Sequence, residues 1–292
     1  MRTVLACVWL LWAGPSAAQG CEDWLTEAFV RGEPTATTLG CAEAAGLDAR
    51  AEDGSTALHL AAAANDAALV RALLALGADA GLRDRNGLSP LDVAAERATD
   101  AGVPAALLAW GVAADPAGRW LPGERATTPL MRAAGRPDGI AVLTVLLAAG
   151  ADPSWRDAEG NTALHLALGD PAGAEAARLL LRNGAAADAA SDDGSTPLHV
   201  AASYGADQAM AELLLDAGAS ADAEGAEGVT PLMLAAAYAT EPGLLAALLD
   251  ASEEPCKADE STRTARLLAE ANPALRDSPP YWELNQLCPA TP

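Results

Sequence analysis

The fold of this chain is decided by a ten-residue stretch, Asp193-Gly-Ser-Thr-Pro-Leu-His-Val-Ala-Ala202, that recurs along the sequence. Related stretches begin at five other positions, which are Asp53, Asn86, Arg125, Glu159 and Glu227. The fourth residue of every copy carries a hydroxyl group, and these residues are Thr56, Ser89, Thr128, Thr162, Thr196 and Thr230. They are separated by 33, 39, 34, 34 and 34 residues. Six copies at so regular a spacing predict a protein made of repeated structural units.

Each copy contains residues that begin and end helices. The Thr or Ser is expected to be a helix N-cap, and the proline that follows it in four copies suits the first helical turn. A short Ala-rich helix comes next, and then a second helix with paired leucines such as Leu179 and Leu180. Glycine past the end of the second helix accepts the left-handed conformation that closes it, and these residues are Gly77, Gly111, Gly150, Gly184 and Gly218.

These units resemble ankyrin repeats. The Thr-Pro-Leu-His motif, the double leucine, the Gly-Ala-Asp turn and the period of 33 to 34 residues all match, over roughly residues 24–250. The resemblance implies an all-α solenoid of helix-turn-helix units with β-turn fingers, with about six full repeats and two caps. It also implies protein binding along a concave face and the fingertips, and no shared catalytic chemistry.

The two ends of the chain depart from the repeat. Residues 19–52 keep a weak version of it and are expected to form an N-terminal cap, while residues 53–250 hold the ankyrin repeats. Residues 251–292 lose the motif altogether and are expected to form a C-terminal cap, with helices over 261–271 and 281–287. End units of a solenoid have no neighbour to cover them, so they need a polar or sealed outer side.

The first residues predict an export signal over residues 1–18. Arg2 gives a positive start, residues 4–13 are apolar, and Ser16 and Ala18 suit cleavage before Gln19. The apolar run is too short to cross a bilayer, so we expect no membrane insertion and a periplasmic or secreted protein. Attachment of lipid to Cys21 is the alternative, which Gly20 favours and the Ala18-Gln19 pair does not.

Besides Cys7, which lies in the predicted signal, the chain has four cysteines near its two ends, and they are Cys21, Cys41, Cys256 and Cys288. Four cysteines allow three pairings, of which Cys21–Cys41 with Cys256–Cys288 is the simplest. Such disulfides would staple the two caps and would suit an oxidising compartment. The spacings do not resemble those of metal-ligand clusters.

The charge balance limits the class of partner. Eighteen Lys and Arg residues face forty Asp and Glu residues, which gives a net charge of −22. Nucleic acid is disfavoured because phosphate contacts need a basic face. We expect a monomer that binds a protein partner, with basic partners favoured. The alternative is that the acidic residues simply keep an Ala-rich protein soluble.

No residues are expected to support catalysis, a cofactor or a metal ion. His59, His165 and His199 occupy one position of the motif, where other copies carry Asp92, Met131 and Met233. Replacement by methionine indicates a structural role. The resemblance to ankyrin repeats implies that the histidine makes hydrogen bonds that tie the turn to its neighbour. The chain also lacks a Gly-rich phosphate loop and a calcium loop. A hydrolase remains a distant third hypothesis, which would need an essential pair of acids.

The repeat register selects the candidate partner-binding residues. On the fingers and first helices they are Arg83, Arg85, Trp120, Trp155, Arg156, Glu159, Asp192, Asp193, Tyr204, Glu224 and Tyr238. Trp120 lies in the longest interval, where Trp and Arg have the composition of a binding hot spot. The alternative for that segment is a loop folded over the outer helices. Trp155 either packs on the next finger or serves as an exposed anchor.

Three other tryptophans are assigned by their place in the repeats. Trp24 and Trp282 are expected in the cores of the caps, and Trp110 is left open between core and surface. The sequence therefore predicts an exported protein-binding scaffold. The narrower alternative is a dedicated inhibitor, immunity factor or stabiliser of one secreted or periplasmic enzyme.

Overall fold

The computed structural model describes residues 39, 40, 42, 46–115 and 127–289. The predicted signal peptide, Cys21, Cys41, Trp24, Trp120 and most of the N-terminal cap lie outside these residues. The described part contains two short 3-10 helices, Pro171–Gly173 and Ala226–Gly228, and no β-strand. Its α-helices are α1 (Ala57–Ala63), α2 (Ala67–Leu76), α3 (Pro90–Arg97), α4 (Gly102–Ala109), α5 (Pro129–Ala134), α6 (Ile140–Ala148), α7 (Ala163–Leu168), α8 (Ala174–Arg182), α9 (Pro197–Ser203), α10 (Gln208–Asp216), α11 (Pro231–Tyr238), α12 (Pro242–Ala251), α13 (Ala265–Ala271) and α14 (Pro279–Leu287).

These helices pack as successive pairs, which we call the first and second helix of a repeat. The chain divides into two compact units, Met1–Ala113 and Ala114–Pro292. In the first unit α1 packs against α3 and α2 against α4. In the second unit the first helices α5, α7, α9, α11 and α13 each contact the next, and α12 packs between α10 and α14. The predicted all-α repeat architecture is confirmed. None of the helices described has the length and apolar content needed to span a bilayer.

The predicted helix caps are confirmed. All six hydroxyl residues of the motif are N-caps with extended backbone, directly before α1, α3, α5, α7, α9 and α11. Thr128 Oγ1, for example, accepts a hydrogen bond from the backbone N–H of Met131 at 3.2 Å. The five glycines expected after the second helices all have positive φ. Each helix pair is therefore begun and ended by local interactions that the motif itself supplies.

Three buried histidines join the first helix of one repeat to the turn that precedes the next. His199 Nδ1 accepts a hydrogen bond from the backbone N–H of Thr196 at 3.1 Å, and its Nε2 lies 3.0 Å from the carbonyl oxygen of Val229. Because a backbone N–H can only donate, the proton of the neutral ring is on Nε2, which donates to Val229.

The other two histidines make the same contacts. His59 Nε2 lies 2.9 Å from the Leu88 carbonyl oxygen, and His165 Nε2 lies 3.1 Å from that of Ser195. Both ring nitrogens of each histidine are thus engaged, and the predicted structural role is confirmed. Burial lowers the pKa of all three histidines, against the opposing effect of the carbonyl hydrogen bonds.

The C-terminal segment folds as a further helix pair of the same kind. Thr264, which lies 34 residues after Thr230, is the N-cap of α13. The backbone N–H of Glu260 donates to the Glu227 carbonyl oxygen at 3.0 Å, as that of Asp192 does to Glu159 at 2.9 Å. The expectation that this segment loses the motif altogether was wrong. The turn and the cap persist, although Arg266 and Leu267 replace the Leu-His pair that follows the cap in the motif.

A disulfide and a buried amide close this end of the stack. The Cα atoms of Cys256 and Cys288 lie 5.3 Å apart across a disulfide that joins the turn after α12 to the end of α14, as the simplest pairing predicts. The side-chain NH₂ of Asn272 donates to the Ala239 carbonyl oxygen at 2.9 Å. The assignment of Trp282 to the cap core was wrong, since it is 51% exposed. Residue Tyr281 is buried instead, because that side of α14 faces its neighbours.

Removal of the disulfide should loosen the last helix pair selectively. The bond closes a loop between residues 32 apart in sequence, so the chain-entropy model gives a loss of about 3 to 4 kcal/mol for the Cys256→Ser, Cys288→Ser double variant. Repeat proteins gain stability from neighbouring units, so hydrogen exchange should rise most in α13 and α14 and least in α5 to α7. A uniform rise across the second unit would contradict this local role.

The histidine links should make stability depend on pH between about 7.5 and 5.5. Their pKa values are lower in the folded than in the unfolded chain. The unfolded chain therefore binds protons first, and stability falls as pH drops below about 6.5. Urea midpoints measured at these pH values should show this loss.

A matched variant is available because two repeats carry buried methionine at the histidine position. The triple change His59→Met, His165→Met and His199→Met should lower stability at pH 7.5 but flatten its pH dependence. If stability depends on pH equally in the variant and the parent, groups other than these histidines cause the pH dependence.

Candidate protein-interaction surface

The fingers are the turns between a second helix and the next cap, and their own side chains hold them in shape. In the finger before Thr162, Asp157 Oδ1 accepts hydrogen bonds from the backbone N–H groups of Glu159 and Asn161, at 3.1 and 2.7 Å. Arg156 Nε donates to the Gly160 carbonyl oxygen at 3.0 Å. Such internal bonds rigidify a surface loop before any partner arrives.

Successive fingers are also joined to each other. Arg156 Nη2 lies 3.0 Å from Asp192 Oδ1 of the next finger. Lys257, the single lysine of the chain, lies 2.6 Å from Glu224 and 2.9 Å from Glu254. The hydrogen bonds that the Lys257 ammonium donates to the carboxylates of Glu224 and Glu254 raise the pKa of Lys257. Three of the candidate residues, Arg156, Asp192 and Glu224, therefore take part in finger-to-finger ion pairs.

The remaining finger candidates differ in what they present. Arg85, Glu159 and Asp193 are exposed, whereas Trp155 is half-buried. Arg83 is half-buried and is engaged within its own repeat, since its Nη1 donates to the Gly87 carbonyl oxygen at 2.5 Å and lies 3.5 Å from Asp92 Oδ2. The hydroxyl of Ser191 and the backbone N–H of Ser195 lower the pKa of Asp193. The part of these finger residues in binding a partner stays a prediction.

The first helices of the second unit present an exposed aromatic pair. Tyr204 follows α9 and Tyr238 ends α11, and they occupy the same position in two successive repeats. Their side chains are 58% and 60% exposed. Half-buried Leu166 and Val200 lie beside Tyr204 in a shallow groove of about 510 Å³. Tyr204 thus borders a groove with apolar side chains over the first helices, and Tyr238 is exposed at the same position of the next repeat.

Sequence reasoning missed the residues at the turns inside each helix pair. Asp170, Asp207 and Glu241 line grooves there and were not among the candidates. Their signal was faint, because each precedes a helix and reads as an ordinary cap. Trp110, whose placement the sequence left open, is exposed at the end of α4. The grooves lined by Asp170, Asp207 and Glu241 therefore extend the candidate surface of the second unit beyond its fingers.

Nowhere in the described part of the chain do three His, Cys, Asp or Glu side chains come together where they could hold a metal ion. The histidines use both ring nitrogens in the repeat framework. What the geometry does provide is a row of rigid turns, an exposed pair of tyrosines and a series of shallow grooves. These are features of a binding surface.

The fold and this surface define a repeat protein of the ankyrin type. The family model described as ankyrin repeats (3 copies) matches residues 130–225 and 172–259. The model described as ankyrin repeats (many copies) matches residues 44–94. The chain belongs to the ankyrin repeat family. Ankyrin repeats generally mediate protein–protein interaction, and proteins built of them are typically non-enzymatic scaffolds.

A solved structure supports the same assignment. The crystal structure of the human ASB11 ankyrin repeat domain superposes with a TM-score of 0.65 at 26% sequence identity, over 82% of this chain and 100% of that one. A search of curated proteins gave no match. The likeness concerns the repeat architecture and leaves the partner to be argued from this chain's own residues.

Close packing of the fingers can be tested with two glycines. Both have positive φ, but a Cβ on Gly160 would lie 2.7 Å from the Asp192 backbone nitrogen, whereas one on Gly150 would meet nothing within 4 Å. Gly150→Ala should therefore cost about 1 to 2 kcal/mol for the left-handed backbone alone. Gly160→Ala should cost about 1 to 3 kcal/mol more because Asp192 must move. Equal losses in urea unfolding would contradict the observed finger contact.

Proposed function

We propose that this chain is an exported scaffold that binds a partner protein through its fingertips and the exposed side of its first helices. The observation that carries the proposal is the exposed pair Tyr204 and Tyr238. Two large aromatic side chains at one register position, each more than half exposed, leave much apolar area in water. Aromatic anchors of this kind dominate the energy of many protein interfaces.

Export is supported by two independent features of the chain. The first residues have the order of charge, apolar run and small residues that a signal peptide needs. The pairing of Cys256 with Cys288 in the structure suits an oxidising compartment such as the periplasm or the exterior. Both features favour a protein that works outside the cytoplasm.

A binding role is favoured over catalysis by the use that the structure makes of its polar groups. Histidines that could act as bases are buried and engaged in holding repeats together. Exposed carboxylates at the turns serve to cap helices, as Asp207 does for α10. We therefore propose a non-catalytic protein.

Capture from the native exported fraction tests this function. The purified chain with its disulfide intact should retain one dominant partner, and Tyr204→Ala with Tyr238→Ala should weaken capture at least about tenfold, as hot-spot aromatics do. Trp110→Ala is the matched control, since it removes a similarly exposed aromatic that lies at the end of a second helix, α4. Capture should be read at low and high salt.

The outcomes separate the versions of the proposal. Loss of capture with the tyrosine variant but not with Trp110→Ala supports binding by the first helices. Unchanged capture would move the interface elsewhere, and Trp155→Ala would then test the fingers. A partner enzyme whose activity or stability depends on the complex would point to a dedicated inhibitor, immunity factor or stabiliser. Absence of any specific partner at either salt concentration would contradict the proposed function.

A further inference from the structure

The tripeptide Arg-Asn-Gly occurs twice in this chain, as Arg85-Asn86-Gly87 and as Arg182-Asn183-Gly184. Both asparagines are exposed to solvent. Glycine has no side chain, so its backbone nitrogen can approach the side-chain carbonyl carbon of the preceding asparagine without steric hindrance. Because the three residues are identical at the two sites, a difference in their reactivity has to come from the fold.

Asparagine before glycine is open to a reaction that needs only water. The glycine nitrogen loses its proton and attacks the asparagine Cγ, ammonia leaves, and a five-membered succinimide forms. Water then opens this ring at one of its two carbonyl carbons, which yields aspartate or isoaspartate. In isoaspartate the main chain runs through the former side chain and is one carbon longer. The net change is an OH group in place of NH₂, and the reaction requires that the glycine N–H first leave its hydrogen bond.

Asn86 lies at the tip of the finger before Ser89, where little holds the reacting groups. The backbone N–H of Gly87 donates to the Asp84 carbonyl oxygen at 3.1 Å. Asn86 Nδ2 lies 3.5 Å from Asp84 Oδ2, which is a weak contact. A Cβ on Gly87 would meet nothing within 4 Å, so the tip has room to move. Loss of one exposed backbone hydrogen bond reduces the reactive population by about tenfold or less.

Asn183 lies at the C-terminal end of α8, which holds the same groups more firmly. Its side-chain NH₂ donates to the Leu179 carbonyl oxygen at 2.8 Å. The backbone N–H of Gly184 donates to the Leu181 oxygen at 3.1 Å, and that of buried Ala185 bonds a further carbonyl of the helix. The attack on this side chain therefore requires the last turn of α8 to open, and several hydrogen bonds are lost together.

We propose that Asn86 is a site of spontaneous deamidation, at which the finger is slowly converted to aspartate and isoaspartate forms, while α8 protects the identical tripeptide at Asn183. The inference goes beyond the proposed binding function and does not depend on it. Residues 83–87 carry two arginines and one aspartate. Either product adds a negative charge beside Arg83 and Arg85, so it cancels the net positive charge of this fingertip.

The two products differ in what they do to the finger. Aspartate fits the framework, because Asp53 and Asp193 occupy the position of Asn86 in two other copies of the motif. Isoaspartate lengthens the main chain directly before Gly87, whose carbonyl oxygen accepts the bond from Arg83 Nη1 at 2.5 Å. That bond and the turn around it have to rearrange. The isoaspartate form therefore distorts the finger, whereas the aspartate form changes only its charge.

Incubation of the purified full chain at mildly alkaline pH, with its disulfide intact, tests the proposal. Mass spectrometry of peptide digests follows both sites over time, in the native chain and in urea. In the native chain Asn86 should deamidate at least about tenfold faster than Asn183, because only the second site requires a helix end to open. In urea the two rates should agree within about twofold, because no helix remains to protect Asn183.

Three results would overturn the proposal. Equal rates in the native chain would mean that exposure and local sequence alone set the reactivity. An Asn86 that reacts in urea but stays intact in the native chain would mean that the finger holds the Gly87 nitrogen in place. Slow reaction of Asn183 in urea as well would show that α8 is not what protects it.

Matched variants assign the product to its site. Glutamine has one more methylene group and would have to close a larger ring, so Asn86→Gln should abolish the isoaspartate that enzymatic carboxyl methylation detects in the incubated chain. Asn183→Gln should leave the amount of isoaspartate unchanged. Isoaspartate that persists in Asn86→Gln at the level of the parent would come from another site, such as Asp53 before Gly54, and would overturn the assignment.

Discussion

The hydrogen-bonded joint between one repeat's capped first helix and the turn of the next is the interaction on which the rest of this structure depends. The carbonyl oxygen of Val229 can accept two hydrogen bonds; the backbone N–H of Gly225 in its own turn donates one at 2.9 Å, and the second needs a donor from a neighbour. His199 supplies that donor from the preceding repeat at 3.0 Å. A second joint runs between the backbones of neighbouring fingers, as from Asp192 N–H to the Glu159 oxygen. A repeat is satisfied only beside its neighbour, which is why these units stack.

The same hydrogen-bonded joint also places variable residues of successive repeats side by side on one exposed surface. Because the first helices of the second unit are held in a row, equivalent positions recur at a regular spacing, and Tyr204 and Tyr238 come to lie on one exposed side. Residues that carry the joint cannot vary in the same way, since Met233 and His199 must both fit a buried site. The framework thus confines chemical diversity to the fingers and the turns, where the proposed interactions lie.

The end of the stack shows what happens when a neighbour is missing. Leu267 occupies the position of the motif histidine in the last helix pair and is 42% exposed, because no finger among the described residues covers it. Asn272 ties this pair back to α11 through the Ala239 oxygen, and the Cys256–Cys288 disulfide holds α14. Stabilisation that an inner repeat receives from both sides is here replaced by one buried amide and one covalent bond.

The sequence by itself determined the features that local chemistry controls. Thr196 caps a helix and Gly218 ends one because the interactions lie within a few residues, and methionine in place of histidine indicated a structural role for His199. Tertiary structure alone decided the rest. The pairing of Arg156 with Asp192 and the grooves that Asp170 and Glu241 line depend on the stacking of units over 30 residues apart in sequence. Such long-range neighbours leave no local periodicity in the chain, so only the packed repeats bring them together.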